Sequence, residues 1–198
     1  MGRSGLFDLE KHFAFYGAYH SNPVNILIHT LFVWPIVFST LLLMYFTPSL
    51  FNFPYGFDPG YGLILNLGFV FTVIYSLFYV CLDNKAGSLA ALLCFLCWVG
   101  ASLLGQRLGF SLGWKVGLAA QLVCWTGQFI GHGVFEKRAP ALLDNLVQAF
   151  LMAPFFVLLE VLLSVLDYEP YPGFRTTVEA RINADIQEWQ EKKQKKIF

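Results

Sequence analysis

The sequence predicts an all-α integral membrane bundle of about four transmembrane helices, with one broken or re-entrant segment and an amphipathic helix at each end. Three observations predict it. Of 198 residues, 57% are hydrophobic and 18% aromatic while only 13% are charged, a balance that soluble domains do not show. The apolar residues gather in blocks of about 20, enough for a helix rising about 1.5 Å per residue to cross a hydrocarbon layer roughly 30 Å thick. Between Val24 and Phe135 the formal charges are Asp58, Asp83, Lys85, Arg107 and Lys115, each placed at a predicted loop or helix end.

The first element spans about 5–21, where Leu6, Leu9, Phe13 and Tyr16 recur at three- and four-residue spacing and predict an amphipathic helix meeting the membrane surface. Its charged residues Asp8, Glu10 and Lys11, with Arg3 and His12, argue against a cleavable signal peptide, so the N-terminus is expected to be retained. Ser21-Asn22-Pro23 ends it, because proline disfavours helix at the residue before it and suits the first turn of the next. A first span follows over 24–46, with Pro35 a candidate kink. The stretch 47–61, carrying Pro48, Pro54, Pro59, Gly56 and Gly60, reads as a loop.

Spans at 62–82 and 86–104 are separated only by Asp83-Asn84-Lys85 and form an antiparallel pair. A polar break at Gly105-Gln106-Arg107 leads to a fourth span over 114–135, closed by Glu136-Lys137-Arg138. Pro140 opens a segment over 141–166 that contains Asp144, Asn145, Gln148, Pro154 and Glu160; these make it the broken or re-entrant one. In the tail, Thr176 and Glu179 have capping-box spacing, and Val178, Ile182, Ile186 and Trp189 share a stripe, so an amphipathic helix outside the membrane is expected to lie on its surface or dock on a partner. Residues 1–170 thus read as a membrane-embedded catalytic domain and 171–198 as a cytosolic amphipathic tail.

The chain ends Lys195-Lys196-Ile197-Phe198, which resembles the dilysine retrieval signal of endoplasmic reticulum membrane proteins. With Lys137, Arg138, Arg3 and Lys11 also assigned to the cytosolic side, both termini are expected there, which requires an even number of crossings. Zero net charge and the lack of any basic tract interleaved with aromatics set nucleic acid aside as a partner. Cys81, Cys94, Cys97 and Cys124 lie in or beside apolar runs and read as packing residues.

The chemistry concentrates on histidine. An ionisable group at membrane depth is costly unless paired or coordinating, so His20, His29 and His132 are functional candidates. His12, on the surface helix, is not. His20 and His29 are nine residues apart, opposite faces of one unbroken helix, but the Ser21-Asn22-Pro23 corner can fold both toward one space. Tyr16 precedes His20 by four and Asn25 precedes His29 by four. Gln128, His132 and Glu136 share a third helical face. Asp144 and Asn145 follow Pro140 closely enough to turn back toward His132. Three imidazoles with a carboxylate and open positions are a donor set of non-haem Fe(II) oxygen chemistry, although imidazole serves zinc and copper as well. As alternatives, the histidines are interfacial hydrogen-bonding anchors, and Glu136 pairs with Lys137 or Arg138 or orients His132.

The string Tyr16-x-x-x-His20-x-x-x-x-Asn25-x-x-x-His29, followed by Gln128-x-x-x-His132-x-x-x-Glu136-x-x-x-Pro140, resembles the endoplasmic reticulum 2-hydroxy fatty acid dioxygenase family. The resemblance covers the chain from about Phe13 to Glu160. It implies Fe(II)-dependent α-oxidation in which a long-chain 2-hydroxy fatty acid is cleaved with O2 to the acid one carbon shorter, a reaction that serves phytosphingosine breakdown. It also implies His20, His29 and His132 as catalytic iron ligands, with Glu136 as a fourth; the residue positions add Tyr16, Asn25, Gln128, Asp144 and Asn145 as supporting groups. The substrate's carboxylate and hydroxyl would chelate iron, needing neither haem nor a 2-oxo acid, and its tail would lie among membrane helices. Two other readings compete: a zinc-dependent lipid hydrolase with Glu136 as base, and a non-catalytic membrane scaffold.

Overall fold

A computed structural model describes residues 5–50, 63–140, 145, 146 and 148–195. Among them there are helices and no strand: a 3-10 turn Gly5–Phe7, α1 Leu9–Ala18, α2 Pro23–Tyr45, α3 Leu67–Leu82, α4 Asn84–Ile130 running into a π-helical turn Gly131–Glu136, a π-turn Gln148–Met152, α5 Ala153–Val165 and α6 Phe174–Lys195. Short polar side chains set the starts. Asp8 caps α1, Asn22 caps α2 with Pro23 in its first turn, Asn66 caps α3 and Asp83 caps α4, each accepting from the first free backbone amides. Asn66 also donates to the carbonyls of Met44 and Tyr45, which ties the start of α3 to the end of α2.

The two spans expected at 86–104 and 114–135 are one element folded back on itself. Gly109 breaks α4 with φ 65° and ψ 173°, a conformation reserved in practice for glycine. Register against α2 shows the reversal: Gly100 faces Phe38 and Gly105 faces Tyr45, then Gly113 faces Phe46, Gly117 faces Leu43 and Gly127 faces Phe32. The first arm therefore runs with α2 and the second runs back along it. The polar Gly105-Gln106-Arg107 that suggested a turn is helical, and the corner is a single residue further on. α2 continues as helix through Pro35.

Pro23–Tyr45 and Asn84–Glu136 are long and apolar enough to cross a membrane; Leu67–Leu82 and Ala149–Val165 are apolar but shorter. Pro154 does not interrupt α5 but stands in its first turn, where its missing N–H costs nothing. Tyr75 and Tyr79 of α3 donate to the carbonyls of Phe150 and Leu151, in the π-turn where backbone acceptors are left open. Tyr168, beyond α5, donates to Asp83 at the start of α4. The stretch from Pro140 to Tyr168 thus leaves and returns at one end of the bundle.

The apolar stripe of α1 faces protein rather than a membrane surface. Leu9, Phe13 and Tyr16 are buried, with Phe13 edge-on to Phe156 of α5 and tilted against Phe174 of α6. These rings gain more from one another than from an interface. α6 docks on this same chain: Val178 is buried, Ile182 lies against Gly17, and Arg181 pairs with Glu10 at 2.6 Å. α6 starts at Phe174, two residues before Thr176, because Gly173 (φ 83°) turns the chain and the buried Phe174 ring anchors it. Arg3, Asp58, Asp144 and the chain end 196–198 lie outside the described residues.

Candidate metal centre

The corner between α1 and α2 decides where His20 points. Its backbone N–H closes onto Gly17, and its Nδ1 lies 2.8 Å from the carbonyl of Tyr16. A carbonyl only accepts, so Nδ1 carries the proton and Nε2 keeps its lone pair. His29, in the second turn of α2, repeats the device on the carbonyl of Asn25 at 2.9 Å. His132 comes from the π-turn ending α4, a local underwinding that re-aims a side chain relative to an ordinary helix.

These three rings converge. Their centroids are 4.3 Å apart for His20 and His29, 4.9 Å for His20 and His132, and 4.8 Å for His29 and His132. One nitrogen of each lies within 4.8 Å of the others, and all three residues are buried, with exposures of 7%, 5% and 4%. His20 Nε2 and His132 Nδ1 have no hydrogen-bond partner among the described residues. Burial, then the neighbouring imidazoles, hold His20 well below the ordinary histidine range, so it stays neutral and available as a donor. Three converging imidazoles, two oriented by backbone carbonyls and two with an unpartnered ring nitrogen, fit a transition-metal ion.

Glu136 is not in that group. Its carboxylate accepts from the backbone N–H of Ser21 and Asn22, from the Ser21 hydroxyl and from Asn25 Nδ2 at 3.0 Å. It clamps the end of α4 to the α1–α2 corner and forms no ion pair with Lys137 or Arg138 among the described residues. Asn25 also donates to Tyr19 O, and its Oδ1 lies where a side chain on residue 131 would fall, 2.4 Å from a Cβ there. Gly131 is thus required for α4 to approach α2 beside His132. Tyr16 stacks on His20 with centroids 4.1 Å apart, and its hydroxyl donates to Glu160 at 2.8 Å. Gln128, one turn before His132, is buried beside the histidines. Asn145 is described but does not line the site; its carbonyl accepts from Ala149.

Sequence reasoning treated Arg138 as a topological charge and as a candidate ion-pair partner of Glu136. Arg138 donates to Ala18 O at 2.7 Å and lays its guanidinium 3.7 Å over the Tyr19 ring, with Trp189 of α6 on another side at 5.2 Å. Its position two residues after Glu136, opposite the aromatic run 15–19, was the available signal.

From the histidines a cavity of about 420 Å³ runs between α2, α3, the second arm of α4 and α5. One wall is a stripe of α2 comprising His29, Val33, Ile36, Val37, Thr40 and Met44. Fifteen residues separate its ends, about 22 Å of helix. A long apolar slot with three imidazoles lining one end suits a molecule with a chelating head and a straight hydrocarbon tail.

The family described as 2-hydroxy-palmitic acid dioxygenase Mpo1-like matches residues 6–165. The chain is 34% identical over 183 residues to the 2-hydroxy-palmitic acid dioxygenase MPO1 of Saccharomyces cerevisiae, covering 92% of both chains. No solved structure matches it. The matched stretch contains both arms of the histidine centre and the whole cavity wall, and the chain belongs to the Mpo1-like family of 2-hydroxy-palmitic acid dioxygenases.

Proposed function

We propose that this protein is an Fe(II)-dependent dioxygenase that cleaves long-chain 2-hydroxy fatty acids to the acid one carbon shorter. The observation that carries the reading is the convergence of three buried imidazoles on one end of a long, mostly apolar cavity. His20, His29 and His132 would hold the iron, whose role is to bind and activate O2 beside a chelated substrate. The reaction balances without a cosubstrate: R–CH(OH)–COOH and O2 give R–COOH, CO2 and H2O, with the substrate supplying every electron that O2 accepts.

The protein's own contribution is orientation and exclusion of water. The carbonyls of Tyr16 and Asn25 fix the rotation of two imidazoles, and Glu136 holds the corner that carries one of them against the helix end that carries the third. The α2 stripe and the aromatic rings of Phe71, Trp125 and Phe156 give the acyl tail a dry path. A hydrolase using Glu136 as base has less support, because that carboxylate is engaged by three amides and a hydroxyl rather than facing the histidines.

We further propose an endoplasmic reticulum membrane protein with four crossings and both termini cytosolic. α2, α3 and the two arms of α4 supply four rods, while α1, α6 and Arg138 gather at one end. Before α5 Phe150 O accepts from Tyr75, midway along α3, and after it Tyr168 donates to Asp83 at the end of α3, contacts that a re-entrant segment would make. Purified protein given Fe(II), O2 and a long-chain 2-hydroxy acid alone is expected to release the shortened acid. Activity that persists without O2, or that strictly needs 2-oxoglutarate, overturns the reading.

A further inference from the structure

The cavity has few polar side chains, and nearly all are already matched. Tyr16 donates to Glu160, Tyr75 to the carbonyl of Phe150, and Trp125 Nε1 to Gln121 Oε1. Gln121 in turn donates to Ile36 O and to the hydroxyls of Ser39 and Thr40, which spends that amide on pinning α4 to α2. Gln128 differs. It lines the cavity, is 5% exposed, and its Nε2 has no hydrogen-bond partner among the described residues. Buried side-chain donors are nearly always paired, so an unpaired one on a residue that lines a cavity is a reason to look for the acceptor in a ligand.

Its position narrows the ligand. Gln128 stands one helical turn before His132 on the same face of the second arm of α4, so its amide belongs to the histidine end of the slot rather than to the tail. The other unpaired buried atoms are of another kind: His20 Nε2 and His132 Nδ1 sit on the imidazoles assigned to the metal, and Asn25 Oδ1 can only accept. A neutral amide is also the apt donor for an anionic head beside a metal at membrane depth. A lysine or arginine there would carry its own burial cost, and a glutamate would repel the anion.

We propose that Gln128 reads the polar head of the substrate, its side-chain NH2 donating a hydrogen bond to an oxygen of the 2-hydroxy carboxylate while the acyl tail follows the α2 stripe. The proposal rests on the 2-hydroxy acid reading above. Gln128 is in this account a substrate-binding residue and not a metal ligand, so its loss separates from loss of the metal.

The test uses full-length protein purified in detergent and loaded with Fe(II), with Gln128→Leu, which keeps size and removes the donor, and Gln128→Glu, which keeps shape and repels an anion. Binding of a long-chain 2-hydroxy acid and of the unsubstituted fatty acid of equal length is measured without O2 by displacement of a fluorescent fatty acid, with iron content determined in parallel. Both variants are expected to retain wild-type iron and to weaken 2-hydroxy acid binding at least about tenfold, the glutamate variant more, because a buried polar group is left unpaired or opposed. A loss confined to the 2-hydroxy acid puts the bond on the hydroxyl, and an equal loss for both acids puts it on the carboxylate; each supports the proposal. Unchanged affinity overturns it, as does a loss of iron that parallels the loss of affinity. If Gln128→Leu does not fold, Gln128→Asn, which keeps the amide but shortens its reach, must show the intermediate loss. A wild-type protein that binds neither acid overturns the substrate reading itself and is recognised without any variant.

Discussion

The two ends of the cavity are built by different physics. At the histidine end, three separate stretches of chain are stitched by directional bonds: Tyr16 O and Asn25 O to two rings, Glu136 to the Ser21–Asn25 corner, and Arg138 to Ala18 O. Toward the far end Val37, Leu41, Leu42, Trp98 and Ala101 form an apolar cluster, and the directional bonds there, from Gln121 to Ile36 O and from Asn66 to Met44 O, tie helices together rather than aim groups into the cavity. Hydrogen bonds depend steeply on distance and angle, whereas apolar burial scales with area and has no direction. A centre that must hold three nitrogens around one ion needs the first kind, and a slot for a hydrocarbon chain needs only the second. Substitutions of the three histidines should therefore act nearly all-or-none, those of the groups that orient them less completely, and those along the slot by degrees.

The strongest way to break that contrast is to remove the histidines. His20→Ala, His29→Ala and His132→Ala are each expected to abolish stoichiometric iron binding, measured by mass spectrometry of purified protein, and to lower turnover by at least about a thousandfold, because a three-donor set cannot spare a donor. Retention of wild-type iron in any of the three removes that residue from the proposed ligand set.

Glu136→Gln sharpens the distinction between holding a metal and holding the residues that hold it. The amide keeps the shape but replaces a charged acceptor of several hydrogen bonds. A supporting role predicts a loss of about 10- to 100-fold in iron affinity, with residual loading at high iron. Loss as complete as in His132→Ala would make Glu136 a ligand after all.

How much of this was open to sequence reasoning follows from the same contrast. Apolar blocks report area, so the rods at α2, α3 and the arms of α4 were legible from composition, and His20, His29 and His132 stood out because polar groups are scarce there. Directional detail was not legible. The polar Gly105-Gln106-Arg107 drew the turn away from Gly109, whose role shows only in a positive φ, and the stripe on α1 could not announce that its partners are Phe156 and Phe174 rather than lipid. Glu136 sits on the His132 face by spacing alone, yet the underwound π-turn leaves it bonded to the Ser21 corner instead.

A smaller effect is expected where an oriented bond supports the centre through packing. Tyr16→Phe keeps the ring against His20 and removes the donor to Glu160, leaving that carboxylate, 144 residues away in sequence, without this partner. The cost should be about 1–3 kcal/mol, which lowers the unfolding midpoint by about 2–4 °C per kcal/mol for a chain of this size. Iron stoichiometry should stay at wild type. A variant with normal thermal stability but little iron would show instead that the hydroxyl acts on the metal directly.

The gentlest perturbation belongs at the far end of the slot. Met44 closes the α2 stripe about 22 Å of helix away from His29, so Met44→Trp should shorten the usable cavity without reaching the chemistry. Because each methylene in an apolar pocket is worth about 1–3 kcal/mol, the variant should lose kcat/KM on the longest 2-hydroxy acids by tens of fold and spare shorter ones, with iron content unchanged. Competition between acids of graded length reads this directly. A uniform loss across all lengths would mean that the tail does not run along α2 to Met44, and the graded end of the comparison would have to be sought along another wall of the cavity.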